Sequence, residues 1–311
     1  MSKRKKARRE IRNTGAKVIE NRPRNRNLGL LIGAGAIALT TLAGAFWYNH
    51  RTATPTGTKL EETLKQETSS FDISKYGNVV YSYNEGAPNK IYFIGDMHAT
   101  ERDGKYILFE NGPRVQLEAY RIAQQLILQK TVQLYLPESI ALGENVPRGL
   151  PGKLLSELGN SSDDDLEKVL RDFPIDAKLL LEMTYSQLDI KGAENKQSLE
   201  LQDRTLKAPN EQLYDSMPLI RFVARLRSGY ILINAPLVIE SEFNRGSITN
   251  RNAMITIGNS HMGHFIDFLK NGRIYIPSQN MGEDIIPRLD VPLNLKESNY
   301  GVIIIRPLSI K

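Results

Sequence analysis

The chain has 311 residues, 41% of them hydrophobic and 24% charged, and no cysteine, so a disulfide-stapled scaffold and thiol chemistry are both excluded. The net charge of +6 is not evenly spread. Residues 1–26 are packed with Lys and Arg against only Glu10 and Glu20, and the remainder is roughly neutral to slightly acidic. The positive charge belongs to a tail, which argues against a nucleic-acid-binding face on the folded part and against nucleic acid as a partner.

In chain order, residues 1–27 read as a basic cytoplasmic tail. From Asn27 to His50 there is no Asp, Glu, Lys or Arg. A helix of about 20 apolar residues crosses the hydrocarbon core, and Leu28–Tyr48 supplies one, with Trp47 and Tyr48 as interfacial aromatics at its far end. The cations before it predict a cytoplasmic N-terminus, a single-pass anchor in the cell membrane, contact with membrane lipid and an extracytoplasmic main domain. A cleaved signal peptide, with Ala43-Gly44-Ala45 at the cleavage site, is the rival reading. Gly29 and Gly33 form a GxxxG that would pair two such helices in a homodimer, although small residues are common in anchors. Residues 49–70 are polar and read as a stalk. Residues 71–311 then form the extracytoplasmic domain, long enough to build its own core.

Within that domain strand and helix patterns alternate. Residues 78–84 (NVVYSYN) and 90–95 (KIYFIG) read as a hairpin across the turn-rich EGAPN. A helix starts near Pro113, with Val115, Ala119, Ile122, Ala123 and Leu126 on one stripe. Residues 132–136 are a strand. Ser162 caps a helix whose apolar face is Leu166, Val169, Leu170 and Phe173. Another helix covers about 176–186, and residues 188–192 are a strand. Two helices are expected over 211–226 and 231–244, perturbed at Pro218 and Pro236. AMITIG is a strand, MGHFIDFLKN a helix stopped by Gly272, and RIYI and GVIIIRP are strands. This alternation predicts an α/β fold: a mixed, mostly parallel central sheet with helices on both faces.

Two of the four histidines follow a strand and a glycine in the same way: Gly95 to His98 in IYFIGDMHATE, and Gly258 to His261 in MITIGNSHMGH. Functional groups of open α/β sheets gather past the carboxyl ends of strands. Glycine lets the chain turn off the strand there, so two such turns can aim two imidazoles at one pocket. Glu138 and Glu194 each follow a strand as well, and Asp96 lies inside the first motif. Two imidazoles with two or three carboxylates suit a divalent transition metal: Zn, Mn, Co or Fe. Such a metal activates water, and a spare carboxylate serves as general base. Each acid also has a plain structural reading, Glu138 at a helix start, Glu194 in a solvated loop and Asp96 in a turn. His264, one helical turn from His261, reads as a supporting or packing residue, and His50 as interfacial.

The paired motif resembles the TraB/PrgY/Tiki family, within the broader ChaN and erythromycin-esterase-like superfamily. The matching stretches are Gly95-Asp96-Met97-His98, Gly258-Asn259-Ser260-His261 with a helix and Gly272 after it, Glu138, and Gly192-Ala193-Glu194. Gly263 stands one place early for the expected second glycine, and Asp96 is one methylene shorter than the usual Glu. The resemblance covers about residues 75–306 and implies a metal-dependent hydrolase, for the Tiki branch a membrane-tethered metalloprotease acting on an extracytoplasmic peptide or protein. On that reading His98, His261 and Glu138 hold the metal, with Glu138, Asp96 and Glu194 as catalytic carboxylates. His264, Asn259, Gly95 and Gly258 would support them. The alternatives are a metal-independent esterase-like hydrolase, with His98 as base and Asp96 orienting it, and a non-catalytic module that binds peptide, haem or metal.

Overall fold

The computed structural model describes residues 16–18, 72–97, 100–102, 105–109, 111–144, 161–172, 176–185, 188–206, 217–281 and 284–310. The expected span at 28–48, the stalk and His98 lie outside the described residues. The chain divides into two compact units, Met1–Asp72 with Ala99–Glu110, and Ile73–His98 with Asn111–Lys311.

The smaller unit holds a three-stranded antiparallel sheet in which Lys105–Phe109 pairs on one side with Ala16–Val18 and on the other with Thr100–Arg102. A bilayer between residue 18 and residue 107 excludes the first of these pairings, so that strand and a span at 28–48 are alternatives.

The larger unit is built on six strands. They are β1 (Gly77–Tyr83), β2 (Asn89–Asp96), β3 (Leu134–Tyr135), β4 (Asp189–Ile190), β5 (Ala253–Gly258) and β8 (Tyr300–Pro307). Their spatial order is β1-β8-β2-β5-β3-β4, parallel throughout except for β1, which runs antiparallel to β8 at the edge. A mixed, mostly parallel sheet is therefore the observed architecture.

The expected hairpin between the first two strands does not form, because β8 lies between them. The connection crosses the start of β8, where Asn84 donates from Nδ2 to the Tyr300 carbonyl at 3.0 Å. At Gly301 a Cβ would sit 2.6 Å from the Asn84 carbonyl oxygen, so the crossing needs glycine there. Every residue of β8 is buried or half-buried, which favours a partner strand on each side.

Alternate strand residues face opposite sides of the sheet. Ile91, Phe93, Ile255, Ile257, Val302 and Ile304 join one core with helices α5 (Met217–Asn244) and α6 (Met262–Asn271). Helix α1 (Gly112–Leu128) packs against β2, β8 and β1, with Val115, Ala119, Ile122, Ala123 and Leu126 buried. Helices α2 (Asp163–Asp172) and α3 (Ala177–Thr184) pack on α1, and α4 (Lys196–Leu206) packs on α5. Ser162 caps α2 by accepting the Asp165 N–H, and Gly272 ends α6 in the left-handed conformation. Strand β6 (Arg273–Ile276) pairs antiparallel with β7 (Leu289–Pro292) outside the main sheet.

The two helices expected around Pro218 and Pro236 are one helix, α5. Pro218 falls in its first turn, where no intrahelical donor is lost. Pro236 lies inside the helix and removes one bond, at about 3 kcal/mol. Leu232, Ala235, Val238 and Ile239 around it are buried, and three such large side chains outweigh that cost at about 1.5–3 kcal/mol each. Most of the apolar stretch of α5 is buried, so its length and apolarity mark it as the core helix of this unit.

Candidate functional site

Strands β2 and β5 are adjacent and parallel, with Gly95 opposite Ile257 and Asp96 opposite Gly258. Gly95 and Gly258 therefore lie at one rim, a single residue out of step. Neither glycine has a left-handed backbone, and Gly258 sits at φ −50°. The expected turning role is not seen at Gly95, where a Cβ would lie 2.4 Å from the terminal methyl of the flexible Met262 side chain.

After β5 a 3-10 turn, Asn259–His261, leads into α6 and leaves His261 only 3% exposed. Asn259 closes the turn by accepting the Met262 N–H on its carbonyl. Glu138 follows β3 and accepts the Gly258 N–H on Oε2 at 2.7 Å, tying the ends of β3 and β5 together. Glu194 follows β4, is 1% exposed, and accepts the Ser139 N–H on Oε1 at 2.6 Å. Ser139 adopts φ +72° to turn that N–H inward, a left-handed conformation that costs a non-glycine residue about 1 kcal/mol. Gly192 passes so close to the Ala141 carbonyl that a Cβ would stand 1.8 Å from its oxygen.

Sequence reasoning did not single out the residue that joins these acids. Arg227, 2% exposed on α5, donates from Nε and Nη2 to Glu194 at 2.6 and 2.7 Å, and from Nη2 to Glu138 Oε1 at 3.0 Å. Burial opposes its charge, but the hydrogen bonds and charges of Glu194, with Glu138 behind them, outweigh burial and raise the Arg227 pKa. Two carboxylates on one guanidinium leave the trio with a net negative charge. The legible signal was an Arg-Ser pair inside the apolar run FVARLRSGYILI, where a cation needs a buried partner.

Ser228, next on α5 and fully buried, donates to the Ala224 carbonyl at 2.8 Å. Its oxygen therefore accepts from His261 Nδ1, also at 2.8 Å. With the Ser228 proton on Ala224, a neutral His261 ring would carry its own proton on Nδ1 and its lone pair on Nε2. Nε2 lies 3.6 Å from Glu138 Oε1. His264 Nδ1 is 3.3 Å from the same Ser228 oxygen. Burial first, then the neighbouring His261 and Arg225, push His264 down to about 4 against the pull of Asp267, so it is neutral near pH 7.

Asp96 is fully buried at the same rim but is held separately. Its Oδ1 accepts from the Met97 N–H at 2.6 Å and from Gln116 Nε2 at 2.5 Å, while Gln116 Oε1 accepts the Ala177 N–H at the start of α3. The structure thus brings Glu138, Glu194 and His261 together through Arg227 and Ser228, with His264 beside Ser228.

Two donors at about 2.1 Å from one tetrahedral metal stand roughly 3.4 Å apart. The Glu138–His261 spacing of 3.6 Å fits that pair. Among the described residues no group of three His, Asp or Glu is placed to hold a metal. The site thus offers two donors of suitable chemistry, with His98, the third expected one, outside the described residues.

Comparison with protein-family models, with curated proteins and with solved structures gives no match.

Proposed function

We propose that the protein is a membrane-anchored extracytoplasmic hydrolase, similar to the TraB/Tiki and ChaN-like proteins, that cleaves peptide or protein with water activated at the Glu138–His261 pair. One observation carries this reading. The buried His261 ring is held at Nδ1 by Ser228, and a neutral ring held in this way would present its Nε2 lone pair 3.6 Å from a carboxylate. Such a nitrogen takes a proton from water attacking a carbonyl and returns it to the leaving amine. Glu138, hydrogen-bonded to Arg227, stabilises the imidazolium formed in between. Arg227 and Glu194 hold the Glu138 carboxylate in place.

A divalent transition metal held by Glu138 and His261, with His98, would lower the pKa of a bound water. The guanidinium 3.0 Å from the same Glu138 oxygen favours a second reading, in which the pair works as base and carboxylate without a metal. Metal analysis of the purified full chain separates the two readings. Cleavage of a fluorogenic peptide library tests both: turnover is expected, and its loss in His261→Gln and Glu138→Gln with an unchanged circular dichroism spectrum. Absence of turnover in the metal-replete protein leaves a binding module as the function.

The uncharged run from Asn27 to His50, with eleven Lys and Arg in the 26 residues before it and Arg51 directly after it, supports the anchor. In that topology residues 16–18 stay cytoplasmic and do not pair with 107–109. Lys17 and Leu108 are opposite one another in the pairing, and the chain has no native cysteine. A Lys17→Cys/Leu108→Cys chain expressed in cells should therefore form no disulfide, and formation of that disulfide would refute the anchor.

A further inference from the structure

A cleft of about 450 Å³ lies among α5, α6 and β6, lined by Arg225, Phe268, Asn271, Arg273 and Tyr275, none of which belongs to the Glu138–His261 cluster. Its volume lies within the range of small-molecule sites. Arg225 reaches Asp267 Oδ2 at 2.6 Å and lies 4.5 Å over the Phe268 ring. Arg273 pairs with Asp290, which Arg288 also contacts, and Arg288 lies 5.1 Å over the Tyr275 ring. Asn271 donates to Asp267 Oδ1 at 2.9 Å and holds it in place.

Three guanidinia thus face two carboxylates, an excess of one positive charge on a domain that is otherwise slightly acidic. Planar guanidinium forks favour carboxylate and phosphate, and the two aspartates already occupy the forks from within. Tyr275 is 43% exposed, so one flat wall of the cleft is open to a ligand.

We propose that this cleft binds an oxyanion carried on a flat apolar group. The bound oxyanion shares the Arg225 and Arg273 guanidinia with Asp267 and Asp290, while its carrier lies along the exposed Tyr275.

The test uses purified full-length protein titrated with benzoate, phenyl phosphate and benzyl alcohol, followed by calorimetry. At least one of the two oxyanions should bind about tenfold or more tightly than the neutral alcohol, and their order tells whether carboxylate or phosphate is preferred. Arg273 is more than half exposed, so Arg273→Gln leaves the fold intact, and it should weaken the preferred oxyanion about tenfold. Asp290→Asn, which removes an internal competitor, should strengthen it. Equal binding of oxyanions and benzyl alcohol, or an Arg273→Gln protein that binds as the parent does, overturns the proposal.

Discussion

Arg227 donates to both oxygens of Glu194, from Nε at 2.6 Å and from Nη2 at 2.7 Å, with the two side chains 2% and 1% exposed. A third bond from Nη2 reaches Glu138, so one guanidinium neutralises part of the charge of two strand-end acids. The pair orders the rim on which His261 depends. Replacing one partner leaves a charge buried without compensation, which is far costlier than replacing both.

Arg227→Met should therefore destabilise the larger unit by about 3–5 kcal/mol. The urea midpoint reads this directly. Adding Glu194→Gln to that variant should recover part of the loss, and a strictly additive double mutant would mean the two side chains act independently.

Ser228→Ala removes the hydroxyl hydrogen-bonded to His261 Nδ1 but little volume. Turnover should fall about tenfold or more while the unfolding midpoint moves by about 1–2 kcal/mol. If the protein binds metal, affinity should fall about 10–100-fold. Unchanged kcat in Ser228→Ala would show that the Nδ1 hydrogen bond does not set the chemistry.

His264 supplies a pH dependence of stability. Its pKa in the folded protein is lowered to about 4, whereas the unfolded chain titrates near 6.5. Between those values the unfolded state binds a proton that the folded state refuses, so stability falls as pH drops from about 6.5 to 4 and this contribution is level outside that window. With the ring only partly buried, the loss should be about 1–2 kcal/mol. Denaturation of the parent and of His264→Gln across pH 4–7 isolates it, because the variant should lack that part of the slope.

At Gly192 any side chain must displace backbone. Its Cβ would meet the Ala141 oxygen at 1.8 Å and the Ala141 carbonyl carbon at 2.5 Å. Gly192→Ala should cost about 3 kcal/mol or more and lower activity, since Ala141 and Glu194 form a bridge beside the site. Chemical denaturation with parallel turnover measurements checks both effects.

Much of the larger unit was legible locally. The apolar stripe from Val115 to Leu126, the Ser162 cap and the Gly272 stop each depend on residues within about four positions of one another, and each appears where the pattern placed it. The strand ends at Gly95 and Gly258 were legible too, because an apolar run stopped by glycine is a local signal; that they share a rim depended on the pairing of β2 with β5. The hairpin over 78–95 misled for the same reason. Its turn signal was real, but the decision to pass over Gly301 depended on a strand that begins more than 200 residues later.

By itself the sequence determined the alternation of strands and helices, the absence of thiol chemistry, and the placing of His261, Glu138 and Glu194 just past strand ends. Only the tertiary structure decided that β8 divides the first two strands, that Arg227 bridges acids 33 and 89 residues away, and that Ser228 holds His261 with Nε2 toward Glu138. The division has a physical cause. Periodicity and caps are satisfied within a few residues, whereas a buried charge takes whichever partner packing brings within hydrogen-bond reach.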